Sequence, residues 1–200
     1  MNQIIKNTII LFVITLVAGI CLGTVHDITL DPIAQAQEAA ATKTYQEVYP
    51  DAASFDEPQE LADAVTAAAD SISEWGFGKV TINDAKEALD ASGNQIGYLI
   101  TSTSAESYGG NVQIAVGITN EGELTGIGFL SISDTPGLGM RAKEPDFKDQ
   151  FIGKKAENLE VTKTGASADN QIEAISGATI TSKAVTNATD AAIYFVANCL

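Results

Sequence analysis

The stretch Asn111-Val112-Gln113-Ile114-Ala115-Val116-Gly117-Ile118-Thr119-Asn120-Glu121-Gly122-Glu123-Leu124-Thr125-Gly126-Ile127-Gly128-Phe129-Leu130-Ser131-Ile132 decides the fold. Its two ends, 111–118 and 123–132, are short, β-branched and apolar, and Thr119 to Gly122 between them is a turn, so the segment reads as a β-hairpin. Working outward on the N-terminal side, Ile96, Tyr98 and Ile100 recur at period two within 95–104, Val80 and Ile82 alternate with polar neighbours, and Ala91-Ser92-Gly93-Asn94 is a turn. These segments predict an antiparallel sheet of at least four strands. On the C-terminal side, a short amphipathic helix is expected around 146–151. A closing helix is expected from about Thr181 to Cys199, with Val185, Ala188, Ala192, Phe195 and Val196 as its buried stripe. The fold class is α+β, an antiparallel sheet flanked by helices.

Upstream of the sheet, Asp31-Pro32 reads as an N-cap with proline at the first helical position, opening a helix that runs through Val48 and ends at Tyr49-Pro50-Asp51. A second helix begins at Glu57-Pro58. Leu61, Val65, Ala68, Ile72 and Trp75 share one of its faces as core residues, and Trp75-Gly76-Phe77-Gly78 breaks it. The division expected is an N-terminus and anchor over 1–30, a helical lead-in over 31–78 and the sheet-containing domain over 79–200.

Nineteen uncharged and mostly apolar residues, 7–25, lie between Lys6 and His26. As a helix they span about 28 Å, one hydrocarbon core. A cleaved signal peptide is the alternative. The run is long for that, Ala34-Gln35-Ala36 lies too far downstream to be its cleavage site, and Ile20 before Cys21 is not the small residue that a lipoprotein site requires. An uncleaved single-pass anchor is therefore expected. Lys6 and the N-terminal amine on one side, against Asp27 and Asp31 on the other, place the N-terminus in the cytoplasm and the remainder outside the cell membrane. Gly19 and Gly23 form a GxxxG pair that permits close helix contact, though glycine is also simply tolerated in membrane helices.

The composition excludes several functions. Eleven Lys and Arg against 26 Asp and Glu leave a net charge of −15, which argues against a nucleic-acid partner. One histidine and two cysteines rule out a zinc finger or a disulfide-stapled scaffold. There is no Walker A loop and no GxGxxG after a strand, and His26 at the membrane boundary is the sole histidine, so neither a catalytic triad nor a metal site is expected.

Three short segments remain. Ser176, Gly177, Ala178, Thr179, Thr181 and Ser182 lie just before or within the start of the closing helix. They can act as a helix cap, or as a phosphate site in which small residues let an anion approach free N–H groups. Thr135-Pro136-Gly137-Leu138-Gly139 suits a type II turn, and Ser107-Tyr108-Gly109-Gly110 precedes a strand. Singly, each is an ordinary structural feature.

In this order, behind a membrane anchor, the three segments resemble the FMN-binding domain family. Within it they are similar to the G subunits of the Rnf ion-translocating electron-transport complexes, the sister group being the C subunits of the sodium-translocating NADH:quinone reductases. The resemblance covers nearly the whole chain. It implies that a flavin transferase joins FMN through its phosphate to Thr179. Ser176, Thr181 and Ser182 are chemically competent hydroxyls too, and only the resemblance selects Thr179. Glu173 stands where the family's transferase motif has Asp, and Asp134 where the family commonly has Glu. Thr135, Gly137, Leu138 and Gly139 are implied to pack on the flavin with Gly177 and Ala178 nearby, Leu138 against the ring and Tyr108 as a further contact.

The function implied is that of an electron-transfer component relaying electrons between other membrane subunits of a ferredoxin:NAD+ oxidoreductase that moves Na+ or H+. The flavin supplies the redox chemistry, so the absence of acid–base machinery is expected. The same chemistry in the quinone-reductase complex, or an anchored module without cofactor, are the alternatives.

Overall fold

The computed structural model describes residues 2–155 and 158–200, and the chain divides into two compact units, 1–42 and 43–200. The first unit is helical from Gln3 onward. It forms most of helix α1, Gln3–Val48, whose most apolar 18 residues have a mean hydropathy of 2.6 and are not buried inside the protein. The helix expected to start at Asp31-Pro32 does not start there, because α1 runs unbroken through Pro32. An interior proline removes one hydrogen bond and costs about 3 kcal/mol, and the helix-forming Ala, Gln and Glu residues that follow keep the chain helical across the defect.

In the second unit the last turn of α1 leads into strand β1 (Ser54–Asp56) and helix α2 (Gln59–Ala68). A 3-10 turn at Ile72–Glu74 precedes four long strands: β2 (Val80–Leu89), β3 (Gln95–Ser107), β4 (Gly110–Thr119) and β5 (Leu124–Ile132). The five strands form one antiparallel sheet in sequential order. From β2 to β5 short connections dictate this meander, since adjacent antiparallel strands need only a tight turn. The turn predicted at Thr119–Gly122 is present: the Gly122 N–H bonds to the Thr119 carbonyl at 2.9 Å, with Gly122 at φ +78°.

The sheet buries both faces. On one, Ile82, Ile100, Ile114, Val116 and Ile127 pack in the core with Ala184, Val185, Ala188, Ala192 and Phe195 of the closing helix α4 (Thr179–Cys199). Ser102 and Ser104, fully buried, keep that side of β3 small, and the Ser102 hydroxyl donates to the Ala188 carbonyl at 2.9 Å. On the other face Leu99 and Ala115 pack with Val48, at the end of α1. Between β5 and α4 lie a 3-10 turn (Gly139–Lys143), helix α3 (Pro145–Lys148), a further 3-10 turn (Asp149–Phe151) and a parallel pair, β6 (Glu160–Thr162) with β7 (Gln171–Glu173). The short helix expected near 146–151 is therefore a single α-turn continued as 3-10.

Candidate functional site

The meander brings three distant segments to one end of the sheet. Ser107 pairs with Gly110, so Tyr108 and Gly109 form the tip of the β3–β4 hairpin. Because β4 runs antiparallel to β5, with Val112 opposite Ile132, the residues just after β5 return to that same tip. The approach is close: a Cβ on Gly109 would lie 2.8 Å from the Asp134 Cα and would overlap the Ser133 carbonyl. Helix α4 starts at the same end.

Asp134 ties the three segments together. Its Oδ2 accepts from the Ser107 hydroxyl at 2.9 Å and from the Thr181 hydroxyl at 2.6 Å, while Oδ1 accepts the Thr135 N–H at 2.7 Å. Partial burial pushes this carboxyl up. The hydrogen bonds from Thr181, Thr135, Ser107 and the Gly109 N–H outweigh that and hold it below the usual carboxylate range. Gly139 is needed for the same arrangement, since a Cβ there would overlap the Asp134 carboxylate. The turn Thr135–Leu138 is closed by the Leu138 N–H on the Thr135 carbonyl at 3.1 Å, with Gly137 at φ +75° as a type II turn requires.

These segments enclose a cleft of about 510 Å³, lined by Tyr108, Asp134, Thr135, Leu138, Gly139 and the first residues of α4 with Gly177 and Ala178 before them. That volume lies within the range of small-molecule and cofactor sites. Its rim is apolar and exposed: Tyr108 is 73 % accessible, Leu138 42 % and Ile180 55 %. No side chain caps α4, and its first backbone bond runs from the Ser182 N–H to the Ala178 carbonyl. The first-turn N–H groups and the positive end of the helix dipole are therefore available to an anion. Gly177, at φ +79°, would bring a Cβ to 3.1 Å from Leu138 Cδ2, so its missing side chain keeps the cradle open. An uncapped helix start below an apolar rim fits a phosphate attached to a flat aromatic ring system.

Of the residues singled out in the sequence, Thr135, Leu138, Gly139, Gly177, Ala178, Thr179 and Thr181 line the cleft. Thr179 is half-buried, whereas the Thr181 hydroxyl is fully buried and committed to Asp134. Ser182 is also fully buried: its hydroxyl donates to the Ala178 carbonyl and accepts the Ile175 N–H, both at 3.0 Å, which makes it an internal brace for the turn before α4. Ser176 is exposed but lines a separate groove with Arg141, Glu144 and Gln150. Gly137 shapes the turn without lining the cleft, and Glu173 sits in β7 with its N–H on the Gln150 side chain. The linking role of Asp134 was missed from sequence, where it stood only as the acid preceding the turn motif. Its partners lie 27 and 47 residues away.

The fold and the cleft define a class, an FMN-binding domain carried behind an apolar helix: residues 107–194 match the FMN-binding domain family and residues 1–48 match the RnfG N-terminal region. Over 98 % of its length the chain is 35 % identical to the G subunit of the Na(+)-translocating ferredoxin:NAD(+) oxidoreductase complex of Acetobacterium woodii, covering 92 % of that protein. It is 30 % identical over 96 % of its length to the G subunit of the proton-translocating ferredoxin:NAD(+) oxidoreductase complex of Clostridium ljungdahlii, covering 91 %. It is 30 % identical over 98 % to the G subunit of the ion-translocating oxidoreductase complex of Methanosarcina acetivorans, covering 95 %. The chain belongs to this family of Rnf complex G subunits. Among solved structures, Shewanella oneidensis NqrC aligns at a TM-score of 0.46 and 19 % identity over 56 % of this chain and 54 % of that one.

Proposed function

We propose that this chain is a single-pass membrane electron carrier holding FMN as a phosphoester on Thr179, and that it relays electrons between other subunits of an ion-translocating ferredoxin:NAD+ oxidoreductase complex. One observation carries the reading. Within the segment that opens α4, Thr179 is the hydroxyl residue that lines the cleft without being fully buried, directly at the uncapped helix start. Thr181 and Ser182 are fully buried and hydrogen-bonded, and Ser176 faces another groove. The negative charge left on a phosphodiester at Thr179 would be stabilised by the helix terminus by roughly 0.3–1 kcal/mol. Leu138, Ile180 and Tyr108 offer apolar area to the ring, and Gly177 and Ala178 leave room for the phosphate. When bound, the flavin supplies the electron chemistry, and these residues position and shield it. Tethering keeps the cofactor in place where no free FMN can be assumed.

The experiment is in-gel flavin fluorescence of the full chain produced with a flavin transferase and then denatured. A fluorescent band is expected for the parent and for Thr181→Val, and none for Thr179→Val. A parent chain of unmodified mass and no fluorescence would mean an anchored module without cofactor.

The flanking charges further support an N-terminus in the cytoplasm and a domain outside the membrane. With Cys21 and Cys199 replaced by serine, a membrane-impermeant thiol reagent on intact cells is expected to label a cysteine placed at exposed Ser131 and to spare one placed at Asn2. Labelling in the reverse pattern overturns this orientation.

A further inference from the structure

Asp134 does more in this wall than join segments. Among the described residues lining the cleft it is the only charged one, and no lysine, arginine or histidine lines the cleft beside it. Both of its oxygens are engaged by donors from three separate parts of the chain, and the chain leaves Gly139 bare to accommodate it. A carboxylate used only as a structural tie could be replaced by a neutral acceptor at lower desolvation cost. Here the donors instead stabilise the ionised form and hold it in one position.

We propose that Asp134 is the potential-setting residue of the site: its fixed negative charge lowers the reduction potential of a flavin held in the cleft, while its bonds to Ser107 and Thr181 hold the wall in register with the start of α4. This rests on the flavin reading above. Electrons added to a ring system increase its negative charge, and a carboxylate held nearby in a partly water-excluded wall opposes that increase more than a solvated one does. The donors tune the effect, because each hydroxyl or N–H aimed at the carboxylate offsets part of its field.

Charge and tie can be separated by the sign of the response. In the full-length flavin-carrying protein, Asp134→Asn removes the charge and is expected to move the flavin midpoint potential in the positive direction, by less as salt is added. Asp134→Glu keeps the charge and is expected to stay near the parent. Ser107→Ala strips one donor, leaves the carboxylate less compensated, and is expected to move the potential in the negative direction. A merely structural tie would shift Asp134→Asn and Ser107→Ala in the same direction. Thermal unfolding of the flavin-free chains reports whether each variant is folded, and should Asp134→Asn not fold, Ser107→Ala decides the question. An unchanged potential in folded Asp134→Asn, a shift in Asp134→Glu as large as in Asp134→Asn, or a positive shift in Ser107→Ala overturns the proposal. These failures differ from that of the flavin reading itself, which would appear as a parent chain carrying no flavin.

Discussion

At the scale of single residues, the Asp134 carboxylate accepts from hydroxyls that are remote in sequence. Asp190 is a second carboxylate with a remote donor. It is 3 % exposed on α4, and its Oδ1 accepts the Leu159 N–H at 2.9 Å. Burial pushes its carboxyl up to about 7, with the Leu159 N–H opposing. The folded protein therefore keeps a proton that the unfolded chain releases from about pH 4 upward. Stability should fall as pH rises through that window and level off above 7. Asp190→Asn retains an oxygen for the Leu159 N–H and removes the titration. It is expected to be more stable than the parent at pH 8, by on the order of a few kcal/mol, and to lose most of the difference at pH 4, as read from denaturant unfolding at the two pH values. Equal pH slopes in the two proteins would refute this. Gly139→Ala pushes a methyl group into the Asp134 carboxylate. It should cost about 1–3 kcal/mol of stability, seen as a lowered thermal midpoint, and should reduce flavin attachment.

At the scale of elements, periodicity identified the four long strands and α4, because alternation and helical stripes mark a buried face wherever an element is long enough to repeat. It could not identify β1, β6 and β7, which have three residues each and show no period. Nor did it reveal why glycines interrupt β4 and β5. The last turn of α1 lies on them: a Cβ on Gly128 would come within 2.6 Å of Val48 Cγ2 and overlap the Thr44 methyl, and one on Gly117 would overlap the Thr125 hydroxyl and lie 3.0 Å from Val48 Cγ1. The Thr125 hydroxyl adds a bond to the Val48 carbonyl at 2.7 Å. Filling this bed with Gly128→Val should lift the turn at a cost of about 1–3 kcal/mol. Amide exchange over 43–48 should accelerate while that in β3 changes little, and protection equal to the parent's would show that the glycine bed is dispensable.

At the scale of the molecule, the compact unit begins at Lys43, within α1 and not at its end. Its core runs from Val48 to Phe195, with both fully or nearly fully buried, so the fragment 43–200 is expected to fold cooperatively and stay in solution without detergent. The full chain should partition with the membrane through its apolar first unit. A fragment that aggregates or lacks a thermal transition would show that residues 1–42 are needed for the fold.

The amino-acid sequence alone determined the apolar helix, the four long antiparallel strands, the closing helix and the three motif segments, since each follows from local composition, period and turn chemistry. Tertiary structure alone decided that Thr181 and Ser182 are fully buried while Thr179 is half-buried, and that Asp134 joins the segments. The physical reason is distance along the chain: hydrogen bonds and burial between residues dozens of positions apart leave no local signature, and only the folding of the sheet brings them within 3 Å of one another.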